Sequence, residues 1–542
     1  MGLNGPYITE ASAPVVARIR ATSPLTPPVT IPEIDGFEAN LRPYQHSGVA
    51  MAYLTPRLLL ADSVGLGKTV QSIGLMAMLK RNGHLSPANP AVVLAPAGMP
   101  LLSSWAADGF STFVPSWRVA VLDGTVSKRD RVAAIQSGAF HAILLSYETF
   151  IRDRAAFVGV TPSVVVCDEA SRLKSHKAQV SIAVKALTAT SPRVLLLSAT
   201  PIQNQLVDLH SQMEALNLGA LFGTEAEFKE RHYNFHAVKR HVRGRARWVK
   251  VQDPVNPYKA LDTLRSMTAP YWYRRTYRDI PGQIPELTHR IVPLELSDAQ
   301  REAYLALQRK ELPGPGSGRR FQLQARAQYL KQCATSLQTL APNLPFASSK
   351  ISWLISMLLG DWSETKVVVY STFRQTIVDL VRELTSAGIG SVVMAGHGDL
   401  PGGATFPYGS VPSEREPFRR QFFDDPNCRV CIGTSAIEMS VNLHAAPVLV
   451  NLDLPYNPAR VEQIAGRIQR ASSPYRFVMV FSLLSVGTVD EAVLALLAKR
   501  QEVADYMLGD VSALFGRLSD TDLEEIIEYS PASPRVDVSQ FR

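Results

Sequence analysis

Three short constellations in this 542-residue chain carry residue types at spacings that could do chemistry. In the run ADSVGLGKT (61–69), Gly65 and Gly67 free the backbone to turn its amides inward, making a nest for phosphate oxygens around Leu66. A helix starting there adds its N-terminal dipole. Lys68 would reach the β- and γ-phosphates of a nucleotide, and the Thr69 hydroxyl would hold Mg²⁺. The strict pattern has Gly at position 62, where this chain has Asp62. The second constellation is SVVVCDEAS, an apolar run ending in Asp168 and Glu169: a metal–phosphate site needs one carboxylate near the metal and one to orient an attacking water. The third is PARVEQIAGRIQRAS, with Gln463, Gly466, Arg467 and Arg470. Two arginines three apart on one helical face could stabilise charge on a transferring phosphoryl group. Each has a bland reading alone: a glycine-rich turn, an acid-capped strand end, a solvated basic face. Their conjunction in one chain weighs against chance.

Elements of a particular kind must position these residues. Short, non-alternating runs rich in Val, Leu and Ile occur at 58–62, 91–96, 142–147, 163–169 and 193–200. Runs of that sort suit parallel strands buried on both faces. Val70, Ile73, Ala77 and Met78 recur at helical spacing after the first run. Parallel sheets present functional residues at the carboxyl ends of their strands, so Lys68 and Asp168 belong on one edge. The rhythm stops near Leu206, gives way to helical, aromatic and basic text, and restarts at 366–372, 391–396, 430–435, 447–455 and 477–484. The organisation read from this is an extended lead-in (1–36), a first α/β lobe (37–215), a helical, basic insertion and connector (216–350), a second α/β lobe (351–510) and a tail (511–542).

Composition narrows the class. Hydrophobic residues at 46% and charged residues at 19% exclude a largely disordered chain. The net charge of +8 favours a polyanionic partner. Much of that excess sits between Lys229 and Lys250, where Lys239, Arg240, Arg243, Arg245 and Arg247 join three further cations against the single acid Glu230, with Tyr233, Phe235 and Trp248 interleaved. A hairpin or loop of this composition suits sequence-independent contact with a phosphate backbone, and no base-reading module is apparent. Four cysteines make no disulfide scaffold; Cys428 and Cys431, three apart in a strand, are expected on opposite faces as core packing. His232, His236 and His241 lack Cys or acidic partners at ligand spacing, so surface exposure or nucleic-acid contact is expected rather than zinc. Prolines interrupt the one long uncharged stretch and no secretory signal appears, which points to a soluble, intracellular protein (cytoplasm or nucleoid) with no membrane contact.

In order, these motifs resemble the sucrose-non-fermenting (Snf-type) family of superfamily-two helicase-like DNA translocases, from about residue 37 to 508. NLRPYQHSGVAMAY resembles the family's adenine-reading motif, with Gln45 in the contacting position. VVLAPAGMPLLSSW and ILLSYETF resemble first-lobe DNA-contacting motifs; LLLSATPIQNQLVDLHS resembles the coupling motif, in which Ser198, Ala199 and Thr200 link nucleotide state to DNA grip. APYWYRRTYRDIPGQIPELTHRIVPLELSDAQREAY and GTVDEAVLALLAKRQEVADYML resemble stretches particular to the Snf type. KVVVYSTFRQTIVDL, TSAIEMSVNL (with Thr434 at the DNA) and LDLPYNPARVEQIAGRIQR resemble the second-lobe motifs. The chain departs from the family at Ser171, usually His, and at Ile437, Glu438 and Ser440, where glycines are usual.

The resemblance implies two RecA-like parallel-sheet lobes with a helical, basic insertion between them, and a DNA-dependent ATPase moving on duplex DNA without sequence preference. ATP and Mg²⁺ are the implied cofactors. The ATP site would comprise Gln45, Gly65, Leu66, Gly67, Lys68 and Thr69, with Mg²⁺ on Thr69 and Asp168, and catalysis by Lys68, Asp168, Glu169, Gln463, Arg467 and Arg470. Two alternatives share these residues: a strand-separating or annealing helicase, and an ATP-gated DNA-binding or displacement module with weak motor activity. The absence of a recognisable bromo-, chromo- or nuclease domain points to a compact bacterial or phage member.

Overall fold

A computed structural model describes residue 17 and residues 31–494, apart from 97–98, 203–205, 243–244, 254–257, 310–318, 342, 396–406, 410–411, 435–436, 438–441, 456–457 and 471–472. The described chain falls into two compact units, one reaching Ile280 and the other starting at Pro281.

The first unit is built on a seven-stranded, wholly parallel sheet in the order β3-β4-β2-β5-β6-β1-β9. The strands are β1 (Arg57–Leu60), β2 (Ala91–Ala95), β3 (Val119–Leu122), β4 (Ala142–Ser146), β5 (Val164–Cys167), β6 (Val194–Leu197) and β9 (Trp272–Tyr273). The central strands are buried on both faces because alternate residues feed two cores. Leu59, Val92, Leu94 and Val165 go to one, while Leu58, Leu60, Val93 and Val166 go to the other. Full burial of such a side chain contributes about 1.5–3 kcal/mol, which is why these runs are uniformly aliphatic. Helix α1 (Pro43–Leu54) packs on α2 (Lys68–Arg81), which in turn lies on the sheet. Being covered on several sides, α2 buries Ile73, Ala77 and Met78 as the spacing predicts, and Gln71, Ser72 and Gly74 as well.

The chain after residue 216 does more than span two lobes. Helix α3 (Glu225–His232) opens with a Thr224–Glu227 capping box. It leads into an antiparallel hairpin of β7 (Phe235–Val242) and β8 (Arg245–Gln252). Strand β9 then joins the first sheet beside β1, and β10 (Glu286–Leu294) joins the second.

The second unit carries a six-stranded parallel sheet in the order β10-β15-β14-β11-β13-β12. Its other strands are β11 (Val367–Tyr370), β12 (Gly390–Met394), β13 (Cys428–Gly433), β14 (Val448–Asn451) and β15 (Phe477–Ser485). The helices α4 (Arg319–Thr335), α5 (Ser349–Leu359), α6 (Arg374–Ser386), α7 (Pro412–Asp424) and α8 (Pro458–Ile468) accompany it.

The cysteine pair departs from the expected parity. All four cysteines are free and buried, but Cys428 and Cys431 enter the same core, while Val430 and Ile432 enter the other. The ladder explains it: Gly390 pairs with Cys428 and Ser391 with Val430, so Arg429 is an extra residue. That bulge shifts the strand by one position and returns Cys428 to the face of Cys431. Among the described residues no helix is long and apolar enough to cross a membrane, and no cluster of His, Cys, Asp or Glu could hold a metal ion.

Candidate nucleotide and nucleic-acid sites

The phosphate loop follows β1 as expected. Gly65 and Gly67 have φ of 83° and 76°, left-handed values that side chains disfavour, and Gly67 caps α2. A Cβ on Gly67 would also sit 2.5 Å from Gln45 Nε2. Lys68 Nζ donates to the carbonyls of Asp62 (2.6 Å) and Ser63 (3.1 Å), so the ammonium is held against the loop's own backbone. Thr69 is half-buried in the first turn of α2. Gln45 is drawn to the same loop: its Nε2 donates to the Leu66 carbonyl (3.3 Å), and its Oε1 accepts from the Arg42 amide (2.9 Å).

Asp168 and Glu169 follow β5, on the edge of the sheet that carries the phosphate loop, because all these strands run parallel. Asp168 is oriented from three directions. The Trp105 indole donates to Oδ2 (2.8 Å), the Glu169 amide donates to Oδ1 (2.8 Å), and the Tyr147 hydroxyl donates to its carbonyl (2.7 Å). Tyr147 is wholly buried, and burial, reinforced by Cys167, Asp168 and Glu169, pushes its pKa well above the ordinary value, so it remains a donor. Glu169 has φ 47° and ψ 53°, a strained conformation for a non-glycine residue and of the kind found at functional sites. Ser171 is buried at the following turn.

Ser198, Ala199 and Thr200 leave β6, the strand between β5 and β1. They therefore lie between the acidic pair and the phosphate loop. The Ser198 amide donates to the Leu60 carbonyl at the end of β1 (3.2 Å), and the Ser198 hydroxyl accepts from the Thr200 amide (3.2 Å).

In the second unit, α8 carries Gln463, half-buried, and Arg467, buried. The helix ends at Ile468, so Arg470 lies past its end and the one-face spacing argument does not govern it. Arg470 is instead near His444, whose pKa is lowered by burial and then by Arg470 and Arg419. Thr434 is buried at the end of β13, its amide donating to the Met394 carbonyl (3.3 Å). Ile437 is a core residue, and a Cβ on Gly433 would lie 2.4 Å from its side chain, so here the usual glycine is replaced by packing. Glu438 and Ser440 lie outside the described residues.

The basic segment is a hairpin in which Lys239 occupies the register position opposite Trp248, Arg240 that opposite Arg247, and Lys250 that opposite Ala237. Arg245 pairs with Val242 at the tip; Arg243 lies outside the described residues. Lys250 is exposed and Trp248 is 71% exposed. The other aromatics pack at the foot, where Tyr233 stacks on Phe235 (6.0 Å) and meets Tyr258 edge-on. His232 is not at the surface: it is buried beside Phe228 (4.8 Å), which corrects the expectation of exposure or nucleic-acid contact.

Several residues of the site escaped sequence reasoning. Trp105 and Tyr147 stand in motifs that resemble DNA contacts, yet both side chains turn inward to Asp168. Asp62 is fully buried and paired with Arg275, 213 residues on. In the second unit Asp453, just beyond β14, accepts from the Ser371 hydroxyl (2.6 Å) and the Thr372 amide (3.0 Å), with Lys331 of α4 at 3.5 Å. A second buried pair, Lys350–Asp490 (2.6 Å), lies in the same unit. Only pairing across the fold shows these acids to be structural.

A chain with two parallel α/β sheets, a phosphate loop on one and an arginine-bearing helix on the other is of the helicase-like RecA type. The SNF2-related domain profile matches residues 44–339, and the helicase conserved C-terminal domain profile matches residues 349–472. The chain belongs to the SNF2-related family. Two curated relatives are CHR12 of Arabidopsis thaliana, named as a probable ATP-dependent DNA helicase, and the Bacillus subtilis protein YwqA, named for ATP-dependent helicase/translocase activity. Each is 26% identical, over 89% and 91% of this chain. The chain spans 43% and 51% of their lengths, about half of each. A solved SWI2/SNF2 ATPase core from Sulfolobus solfataricus in complex with dsDNA aligns over 93% of this chain and 100% of that one, at 24% identity and a TM-score of 0.42.

Proposed function

We propose that this chain is a DNA-dependent ATPase that couples Mg-ATP hydrolysis to translocation on double-stranded DNA, without sequence preference. The observation that carries the reading is the placement on one edge of the first sheet of the phosphate loop, the Asp168–Glu169 pair and, between them, Ser198–Thr200. In this reading the amides around Gly65–Gly67 cradle the β- and γ-phosphates, and Lys68 exchanges the carbonyls of Asp62 and Ser63 for phosphate oxygens. Gln45, already fixed on the loop, reads adenine at its edge. Glu169 orients the attacking water and takes its proton. The family resemblance assigns Arg467, Arg470 and Gln463 to offsetting the charge that develops on the transferred group.

The donors available for a metal are oxygens, the Thr69 hydroxyl and the Asp168 carboxylate, which suit a hard cation. The Trp105 indole donates to Asp168 Oδ2 and the Glu169 amide to Oδ1, and the two contacts orient the carboxylate. Thr69 and Asp168 would hold Mg²⁺, which supplies neutralisation of phosphate charge when bound.

The duplex backbone would meet the basic hairpin, through Lys239, Arg240, Arg243, Arg245, Arg247 and Lys250, and the loop after β13 at Thr434. Displacement of a third strand from a triplex tests movement. ATP-dependent displacement that is lost in Lys68→Ala is the expected result; tight DNA binding with hydrolysis but no displacement would contradict translocation. A second reading, strand separation or annealing, draws on Trp248, whose exposed indole could stack on an unpaired base.

A further inference from the structure

Arg275 belongs to the stretch that follows β9, yet its guanidinium lies among the elements that form the phosphate loop. Its side chain is 2% exposed, and that of Asp62 is 0%. The Arg275 amide and Nε each donate to Asp62 Oδ1 at 3.0 Å, and Nη2 donates to Asp62 Oδ2. The same Nη2 donates to Gln71 Oε1 of α2 (2.6 Å), and Nη1 donates to the Tyr44 carbonyl of α1. Its cationic face lies 4.7 Å from the Tyr273 ring and 5.4 Å from the Tyr44 ring. Burial works against the charge, but Asp62 and Tyr273 more than offset it and hold the pKa above its ordinary value.

The contacts continue into the loop. Gln71 Nε2 donates to Asp62 Oδ2 (3.1 Å) and to the Leu66 carbonyl (3.1 Å), which also accepts from Gln45. Because a trans peptide sets its C=O and N–H in opposite directions, fixing the Leu66 carbonyl on the two glutamines directs the Gly67 amide away from them. Alongside, the Ala61 amide donates to the Tyr273 carbonyl (2.7 Å), the Ser63 amide to the Arg275 carbonyl (3.0 Å) and the Tyr277 hydroxyl to the Val64 carbonyl (2.6 Å). The fold also leaves room for the arrangement. A Cβ on Gly48 of α1 would fall 1.8 Å from Gln71 Oε1 and 2.6 Å from Arg275 Nη2.

We infer that Arg275 is a positioning residue for the phosphate loop: through Asp62 and Gln71 it fixes the direction of the loop amides that receive the nucleotide. Asp62, at the place where a strict phosphate loop has Gly, is the handle by which a segment more than two hundred residues away grips the loop. Lys at 275 would keep a charge beside Asp62 but could not also reach Gln71 and the Tyr44 carbonyl in the same plane. This inference rests on the reading of Gly65–Thr69 as an ATP site.

The test compares wild type, Arg275→Lys, Gln71→Met and Lys68→Ala by thermal melting, by binding of a fluorescent ATP analogue, and by KM and kcat for ATP at saturating duplex DNA. Gln71→Met keeps the Asp62–Arg275 pair and so keeps the variant folded if Arg275→Lys does not fold. The expected result is a KM for ATP raised about tenfold or more in either folded variant, with kcat near wild type, because the loop contacts ground and transition states alike. A general loss of structure would lower kcat and melting together without that split. Wild-type KM in a folded Arg275→Lys or in Gln71→Met overturns the positioning role while leaving the ATP site standing. Wild-type protein that neither binds the analogue nor hydrolyses ATP overturns the ATP site itself.

Discussion

Replacing Trp105 by Phe tests whether the Asp168 carboxylate is set by its neighbours rather than by its strand alone. Trp105 is 1% exposed, and its indole is a single donor aimed at Asp168 Oδ2 at 2.8 Å. Phe keeps an aromatic ring beside Phe110, whose centroid is 6.1 Å away, and removes that donor. A hydrogen bond to an ionised group contributes about 1.5–3 kcal/mol. At 1.36 kcal/mol per decade, its loss from the carboxylate proposed to hold the metal corresponds to a fall of about 10- to 150-fold in kcat/KM. The assay is steady-state ATPase at saturating duplex DNA across a Mg²⁺ titration, run well below the variant's melting temperature. The half-saturating Mg²⁺ concentration should rise with the fall in kcat/KM. An unchanged Mg²⁺ dependence, with kcat/KM within about twofold of wild type, a few tenths of a kcal/mol, would refute the claim that Trp105 orients Asp168.

Three further outcomes are expected. Glu169→Gln should retain binding of a fluorescent ATP analogue while kcat falls by about 10²–10⁴, the range of general-base catalysis; a kcat within tenfold of wild type would remove Glu169 from that role. Trp248→Ala should leave stability within about 0.5 kcal/mol, since the side chain is 71% exposed. Its affinity for forked or single-stranded DNA should fall by about 1–3 kcal/mol if the indole stacks on a base, and equal loss on blunt duplex would show a backbone role instead. Asp453→Asn should destabilise the second unit by about 3–5 kcal/mol in urea unfolding, because it removes a carboxylate 3.5 Å from the buried Lys331 ammonium and weakens the balance of charge that Asp490 shares. An unaltered unfolding midpoint would show that Lys331 is neutral in the folded chain, the direction in which burial already moves its pKa.

Strands covered on both faces were legible as uninterrupted aliphatic runs, and ten of them start within two residues of the expected positions. Of the four strands at the sheet margins only β12 was; the other three were not. Val119–Leu122 alternates between half-buried and buried, Trp272–Tyr273 is two residues long, and the first half of Glu286–Leu294 is exposed, so none has the composition of a buried strand. The phosphate loop and acidic pair were legible because their chemistry is local: the residues proposed to meet phosphate or water are neighbours in sequence. What holds them is not local. Asp62 reads as a departure from a pattern until Arg275 is seen beside it, and Trp105 reads as part of a DNA-contacting motif until the fold turns it onto Asp168. The Cys428–Cys431 parity failed for another reason, a one-residue bulge that alternation alone cannot reveal.

The most direct test of the account is steady-state ATPase activity with no nucleic acid, with single-stranded DNA and with duplex DNA, using Lys68→Ala as the control. The account predicts strong stimulation by duplex and its loss in Lys68→Ala. A flat response despite tight DNA binding, or hydrolysis that survives in Lys68→Ala, would contradict it.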